Sequence, residues 1–230
     1  MISGLVSCVV PVFNGERHLA ASLDSVLAQT YRSIEVIVVD DGSSDGTRRV
    51  ATAFGERVRY LYQDNAGPAA ARNAGVAAVR GEFVAFNDAD DLWNAEKLGR
   101  QMAHFARVPS LQVSLTLIQN FLDVPAADNL AASVTPELLA PQPGFVAQTM
   151  LARKSAFDLV GPFHPALVHA DVTDWFLRAR AQGVVVECLP EVLTQRRLHG
   201  QSLSRQMADA SREEYLHLIK RHIDTRRGGR

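Results

Sequence analysis

Short apolar runs recur at 5–10, 34–39, 58–62 and 83–86, with helical signals between them. The runs are brief, without helical spacing, and rich in β-branched residues, the pattern of strands buried on both faces. In 16–29, Leu19, Leu23, Val26 and Leu27 fall at helical spacing. Asp45 stands where it can cap a helix running to about 54, Pro68 opens an alanine-rich helix to about 79, and Asn94 can cap a helix to about 107. Strands that alternate with crossover helices make a largely parallel sheet covered on both faces, an α/β fold. In such sheets ligands bind beyond the carboxyl ends of the strands. The polar clusters at 11–16, 40–47 and 87–91 each follow a strand directly and are expected to converge on one edge.

The second half is less regular. Residues 120–145 contain Pro125, Pro136, Pro141 and Pro143 with few charges and are expected to form a long loop or partly ordered flap. Strands are expected over 145–151 and 184–189, helices over 155–160 and 172–181, and a final amphipathic helix from about 207 to 223. The basic run 225–230 reads as a frayed tail, with a membrane-surface or partner role as the alternative.

The 230 residues suit one domain, and the net charge of −1 gives no field that would select nucleic acid or an anionic membrane. Cys8 and Cys188 sit in apolar runs, as buried thiols of a reducing compartment do; a disulfide or metal role is the alternative. No apolar run approaches the roughly 20 residues that span a bilayer, and no signal peptide is apparent, so the expected location is the cytoplasm.

The acidic run NDADD (87–91) carries the most specific chemistry. In an extended segment Asp88 and Asp90 share a face, and carboxylates so close need a proton or a cation between them. Oxygen ligands of this kind suit Mg²⁺ or Mn²⁺, with coordination positions left for phosphate oxygens. A solvated acidic turn is the plainer alternative. Asp40, at the end of the second strand, can accept from a nucleobase N–H or ribose hydroxyls, or can simply shape the turn. Arg72, one turn into the helix opened by Gly67 and Pro68, suits a diphosphate or lies on the surface. Trp93 and Trp175 are expected to be packing residues rather than sugar platforms.

Five segments, PVFNGE (11–16), VVDDGSSDGT (38–47), NAGPAAARNAG (65–75), FNDADDLW (86–93) and EKL (96–98), together resemble the family 2 glycosyltransferases, in order and at the usual spacing over about 5–107. The resemblance implies a GT-A fold, with a Rossmann-like, mostly parallel sheet flanked by helices and a smaller acceptor-side region. It implies inverting transfer of a sugar from a nucleotide-sugar donor, by family habit a UDP-sugar, to a glycan, lipid-linked or small-molecule acceptor, with Mn²⁺ or Mg²⁺ as cofactor. Pro11, Val12, Asn14, Glu16, Asp40, Arg72 and Asp88 are then expected to bind the donor, and Asp90 and Asp88 the metal. Asn87 departs from the pattern, which has an apolar residue there. The expected division is 1–107 for the donor, 108–206 for acceptor and catalysis, and 207–230 for a terminal helix and tail. Peripheral membrane association is compatible with the resemblance; nucleic acid is not expected as a partner.

The later segments ARKSAFDLVGPF (152–163), HADVTDWFLRARAQG (169–183) and RRLHGQSLS (196–204) resemble the family more loosely. Where the family shows Glu-Asp, with the aspartate as base, this chain has Asp171 and Val172. Asp171 is the first candidate for the base and Asp174 the second, with capping or orienting the helix that carries Trp175 as the alternative for Asp174. His199 is a candidate third metal ligand or phosphate contact, or else a structural histidine. A family member that has lost catalysis and serves as a binding module is the competing function. A nucleotidyltransferase is disfavoured by the single glycine in PVFNGERH, and a dinucleotide-dependent dehydrogenase by the lack of GxGxxG after the first strand.

Overall fold

The computed structural model describes residues 1–123, 134–200, 214–216, 218 and 220. The expected 207–223 helix and 225–230 tail therefore lie mostly or wholly outside the described residues, although 214–216, 218 and 220 are helical. Strands β1 (Ile2–Val12), β2 (Ile34–Asp41), β3 (Arg59–Gln63) and β4 (Gly81–Phe86) alternate with helices α1 (Leu19–Leu27), α2 (Thr47–Thr52) and α3 (Pro68–Ala78). After β5 (Leu92–Trp93) and α4 (Lys97–Arg107) come β6 (Val113–Leu122), α5 (Pro136–Leu139), β7 (Gln142–Pro143), β8 (Leu151–Arg153), α6 (Lys154–Val160), α7 (Asp171–Ala181) and β9 (Val186–Leu198). One mixed sheet runs β3-β2-β1-β4-β8-β6-β9-β5, with β7 on β6. β3, β2, β1 and β4 are parallel, as expected; β8 joins β4 and β6 antiparallel, and β9 returns parallel to β6.

Successive side chains along a strand point to opposite faces, so each central strand needs two apolar sets. Val9, Ile37, Val39, Val84 and Phe86 face α3, α6 and α7, through Ala71, Phe157 and Trp175. Cys8, Val10, Val36, Val38 and Ala85 face α1, α2 and α4, through Leu23, Ala51 and Phe105. α3 lies so close to β1 that a Cβ at Gly75 would run into the Val9 side chain. Lys97, from EKL, is wholly buried: its ammonium binds Gln101 Oε1 at 2.9 Å and lies 4.1 Å from the Trp93 ring centroid, and burial pushes its pKa down to about 7. Trp93 and Trp175 are packing residues, each spending its indole N–H on a backbone carbonyl.

Several local expectations are corrected. The cap residue of α2 is Gly46, not Asp45, whose carboxylate instead accepts from Thr47 N–H and Glu16 N–H. The cap of α4 is Glu96, and Asn94 sits two residues ahead, accepting the Glu96 N–H. Residues 113–122 form the long strand β6, reaching into the stretch expected to be a loop. The expected 145–151 strand is a 3₁₀ turn, Ala147–Thr149, leading into β8, because the Thr149 hydroxyl bonds back to the Gly144 and Val146 carbonyls. β9 does not stop at Leu189; it passes through Pro190 to Leu198.

Candidate active site

The segments after β1 and β2 interlock beyond the strand ends. Asn14 N–H donates to Ser43 Oγ at 2.8 Å, Gly15 N–H to Thr47 Oγ1 at 2.8 Å and Glu16 N–H to Asp45 Oδ2 at 3.0 Å. In return Asn14 Oδ1 accepts from Ser44 N–H at 2.8 Å and Glu16 Oε2 from Gly46 N–H at 3.0 Å. Asn14 holds a left-handed backbone, φ 50°, which asparagine tolerates better than most residues. Glu16 is held further by Arg49 at 2.6 Å. Pro11 and Val12 are buried in register with Val39 and Asp40. Asp40 is only 1% exposed; its Oδ1 accepts from Ser43 N–H at 2.9 Å and its Oδ2 from the Tyr60 hydroxyl at 2.6 Å. Burial and the hydrogen bond to Asp40 push the Tyr60 hydroxyl above its ordinary pKa. The expected base and ribose residues are therefore gathered, and their polar groups build the wall they line.

The neighbouring Asp41 is buried as well. It accepts from Gln63 Nε2 at 2.7 Å, Ala66 N–H at 2.9 Å and Gly67 N–H at 2.9 Å, so it suspends the turn from which α3 starts. That turn presents Arg72. The guanidinium is buried and donates to Asp171 Oδ2 at 2.7 Å and Asp88 Oδ1 at 3.3 Å, while its Nε has no hydrogen-bond partner among the described residues. Next to it, the Asn73 amide exchanges two hydrogen bonds with the Phe163 backbone, at 2.8 and 2.9 Å. Helix α3 thus reaches the first residue of α7. Burial raises the Asp171 carboxyl above its ordinary pKa, although the Arg72 charge pulls it back.

Asp90 belongs to a second cluster. His199 Nε2 lies 2.9 Å from Asp90 Oδ2. Burial opposes ionisation of Asp90, but the hydrogen bond and charge of His199 outweigh it and hold the carboxyl below its usual value. Arg197 donates to the Asp90 carbonyl at 2.8 Å and to Asp123 Oδ2 at 2.7 Å, and its backbone N–H donates to Asp91 Oδ1 at 2.9 Å. Asp91 is buried against Gln148 Nε2 at 2.9 Å. Burial and the charges of Asp90 and Asp88 push its carboxyl well above the ordinary range. The His18 ring packs 4.9 Å from that of His199. His18, Asp123 and Arg197 complete the cluster. His18 and Asp123 carried no sequence signal, and Arg197 only its place beside His199 in RRLHGQSLS.

Asp88, Asp90 and His199 do not form a closed cage. Asp88 turns to Arg72 and Asp90 to His199, and no group of three such side chains among the described residues is disposed to hold a metal unaided. Asp90 and His199, 2.9 Å apart, are side chains of the types that take Mg²⁺ or Mn²⁺, and a cation between them would need its remaining ligands from elsewhere, such as a nucleotide's phosphates. Asp174 takes a different direction: its Oδ2 accepts from Arg178 Nε at 2.7 Å, and Arg178 clasps the Val160 and Pro162 carbonyls. That contact orients α7 against the preceding loop, in line with the structural alternative for this residue.

The family model described as Glycosyl transferase family 2 matches residues 7–128. An uncharacterised glycosyltransferase of Rickettsia typhi is 41% identical over 100 residues, covering 44% of this chain and 31% of that protein. Glycosyltransferase GlyG of Streptococcus pneumoniae is 42% identical over 95 residues, covering 40% of this chain and 32% of its own length. The chain thus spans about a third of these relatives. Among solved structures, S. aureus TarS 1-349 in complex with UDP-GlcNAc superposes with a TM-score of 0.69 at 22% identity, over 86% of this chain and 60% of that one. The mannosyltransferase PcManGT of Pyrobaculum calidifontis, in complex with GDP-Man and Mn²⁺, gives a TM-score of 0.69 at 20% identity, over 96% and 63%. At these identities the likeness shows the fold, that of GT-A glycosyltransferases.

Proposed function

Because this chain belongs to glycosyl transferase family 2, we propose that it moves a sugar from a nucleotide-diphosphate donor, a UDP-sugar in the first instance, to an acceptor hydroxyl with inversion. The observation that supports transfer most directly is the Arg72 bridge, which ties Asp88 beside the donor wall to Asp171 at the start of α7. A cation at the diphosphate, an anomeric carbon beyond it and a base facing that carbon need such an arrangement.

In this mechanism the interlocked 11–16 and 40–47 segments, with Asp40, hold the base and ribose. Arg72, whose guanidinium is fixed by Asp171 and Asp88 before the substrate arrives, brings a positive charge to the side where the diphosphate is proposed to lie. Asp90 and His199 would hold Mn²⁺ or Mg²⁺, with Asp88 turning from Arg72 to join them, and the ion would supply positive charge to the leaving group. The acceptor oxygen attacks the anomeric carbon, the bond to the phosphate oxygen breaks with its electron pair, and the acceptor proton passes to Asp171. A carboxyl raised by burial is suited to take that proton. One displacement inverts the carbon. The acceptor is a glycan, a lipid-linked sugar or a small molecule, met by the 108–206 half.

A cytoplasmic site of action is part of the same proposal. Neither Cys8 nor Cys188 is in a disulfide; Cys8 is buried as expected, which pushes its thiol up to about 12, whereas Cys188, expected to be buried, is exposed. No helix among the described residues is long and apolar enough to cross a membrane, and peripheral contact at a membrane face is included in the proposal. A second reading, a nucleotide-binding module without catalysis, rests on Val172 at the family's aspartate position and on the Arg72 hold on Asp171. Slow release of nucleoside diphosphate from a nucleotide sugar in water separates the two, since only the enzyme turns over.

Melting curves with UDP, dTDP, GDP and their sugars, with and without Mn²⁺, test donor binding by mass action. The expected result is a Mn²⁺-dependent rise for one nucleotide class that Asp90→Asn loses. No rise with any member of the panel, or a full rise in Asp90→Asn, would overturn the assignment.

A further inference from the structure

The loop that delivers Asp171 is held by a segment far along the chain. Ala170 stands at the cap position of α7 and offers no side-chain acceptor. The N–H groups just before it turn to one carboxylate: Val168 N–H donates to Glu214 Oε1 at 2.8 Å and His169 N–H to Glu214 Oε2 at 2.9 Å. The Tyr215 hydroxyl donates to the His169 carbonyl at 2.9 Å. Leu218, also helical, is buried and seats the segment. A carboxylate that takes two consecutive backbone N–H groups fixes both position and direction, and charge-assisted bonds of this kind are stronger than neutral ones.

We propose that Glu214 and Tyr215 are positioning residues for the transfer: they fix residues 168–169, and through them the place from which Asp171 meets the acceptor hydroxyl, without touching donor or acceptor. The proposal rests on Asp171 as the base. Asp171 is otherwise steered by Arg72 at its side chain, so its carboxylate is set from two directions, by a donor-side guanidinium and by a strap on its backbone. A displacement of about 1 Å in a reacting group can cost up to about a hundredfold in rate, which gives the strap kinetic weight beyond its contribution to stability.

The test compares Glu214→Ala, Glu214→Gln and Tyr215→Phe, using water-driven turnover of whichever nucleotide sugar gives the largest melting shift, together with amide exchange over residues 164–172. Glu214→Gln keeps one carbonyl oxygen but places an amide N–H₂ against the other backbone N–H. The expected result for Glu214→Ala is a kcat lowered about tenfold or more, with donor KM and Mn²⁺–nucleoside diphosphate binding unchanged and faster exchange in 164–172. Smaller effects in the same direction are expected for the other two, which decide the matter if Glu214→Ala does not fold. Parental kcat in these variants, or slower turnover with exchange unaltered, overturns the positioning role. Asp171→Asn runs in parallel. If it keeps parental turnover, the base assignment fails and takes this proposal with it. If it is inactive while the Glu214 variants run at the parental rate, only the strap fails.

Discussion

At the scale of residues, ionisation in the site is divided between two carboxyls. Asp90 is held below its ordinary pKa despite burial, by His199, whereas burial raises Asp171 and Arg72 only partly offsets it. With Asp171 as the proposed base, which must be ionised to accept a proton, turnover should fall as pH drops through its raised pKa. The acid limb of kcat is therefore expected above the range of an ordinary carboxylate. Asp171→Asn should lower kcat by about 10²–10⁴-fold, the usual yield of general-base catalysis, while leaving nucleotide binding intact. Steady-state rates across pH, with nucleotide binding measured by calorimetry, check both. Asp88, Asp90 and Arg72 were legible because each sits in a local pattern with its own chemistry. The partner of Arg72 was not: Asp171 lies 99 positions away, and no short-range signal reports which carboxylate meets a buried guanidinium. His18 and Asp123 were invisible for the same reason.

At the scale of elements, the parallel strands and the helices between them were legible from their apolar runs and spacing, and the departures have physical causes. β6 alternates polar and apolar residues over 113–117, yet Ser114 and Thr116 are buried because His104 and Thr194 satisfy them from other elements. β9 survives Pro190 because the pairing skips there: Leu189 pairs with Thr116 and Val192 with Leu117. A proline, which has no N–H to give, is tolerated at such a bulge. The turn from β3 into α3 depends on Asp41, whose carboxylate gathers three N–H donors. Asp41→Ala would leave those donors without their acceptor and is expected to cost on the order of 3 kcal/mol, read as a lowered denaturation midpoint. Because Arg72 rides on α3, nucleotide affinity should fall in the same variant.

At the scale of the whole molecule, the sheet is continuous, and residues before and after 107 pack into one core. Phe86, on β4, packs against Phe157 and Phe163 at centroid distances of 5.8 and 5.6 Å, and Val9 and Ile37 share a cluster with Trp175. The fold class was legible because alternation alone specifies it; the later strands were not, because their pairing is long-range and antiparallel in part. Residues 1–107 expressed alone would carry all five donor-side motifs and yet leave Phe86 uncovered and the Arg72 charge without Asp171. That fragment is expected to keep helical far-ultraviolet circular dichroism while losing a sharp thermal transition, whereas the full chain should melt as one cooperative unit. The guanidinium bridge therefore has a consequence for assembly as well as for chemistry. During synthesis, the early half of the chain would emerge with a buried cation that has Asp88 but lacks the closer of its two carboxylates, and the native setting of that guanidinium must wait until the ribosome has delivered residue 171.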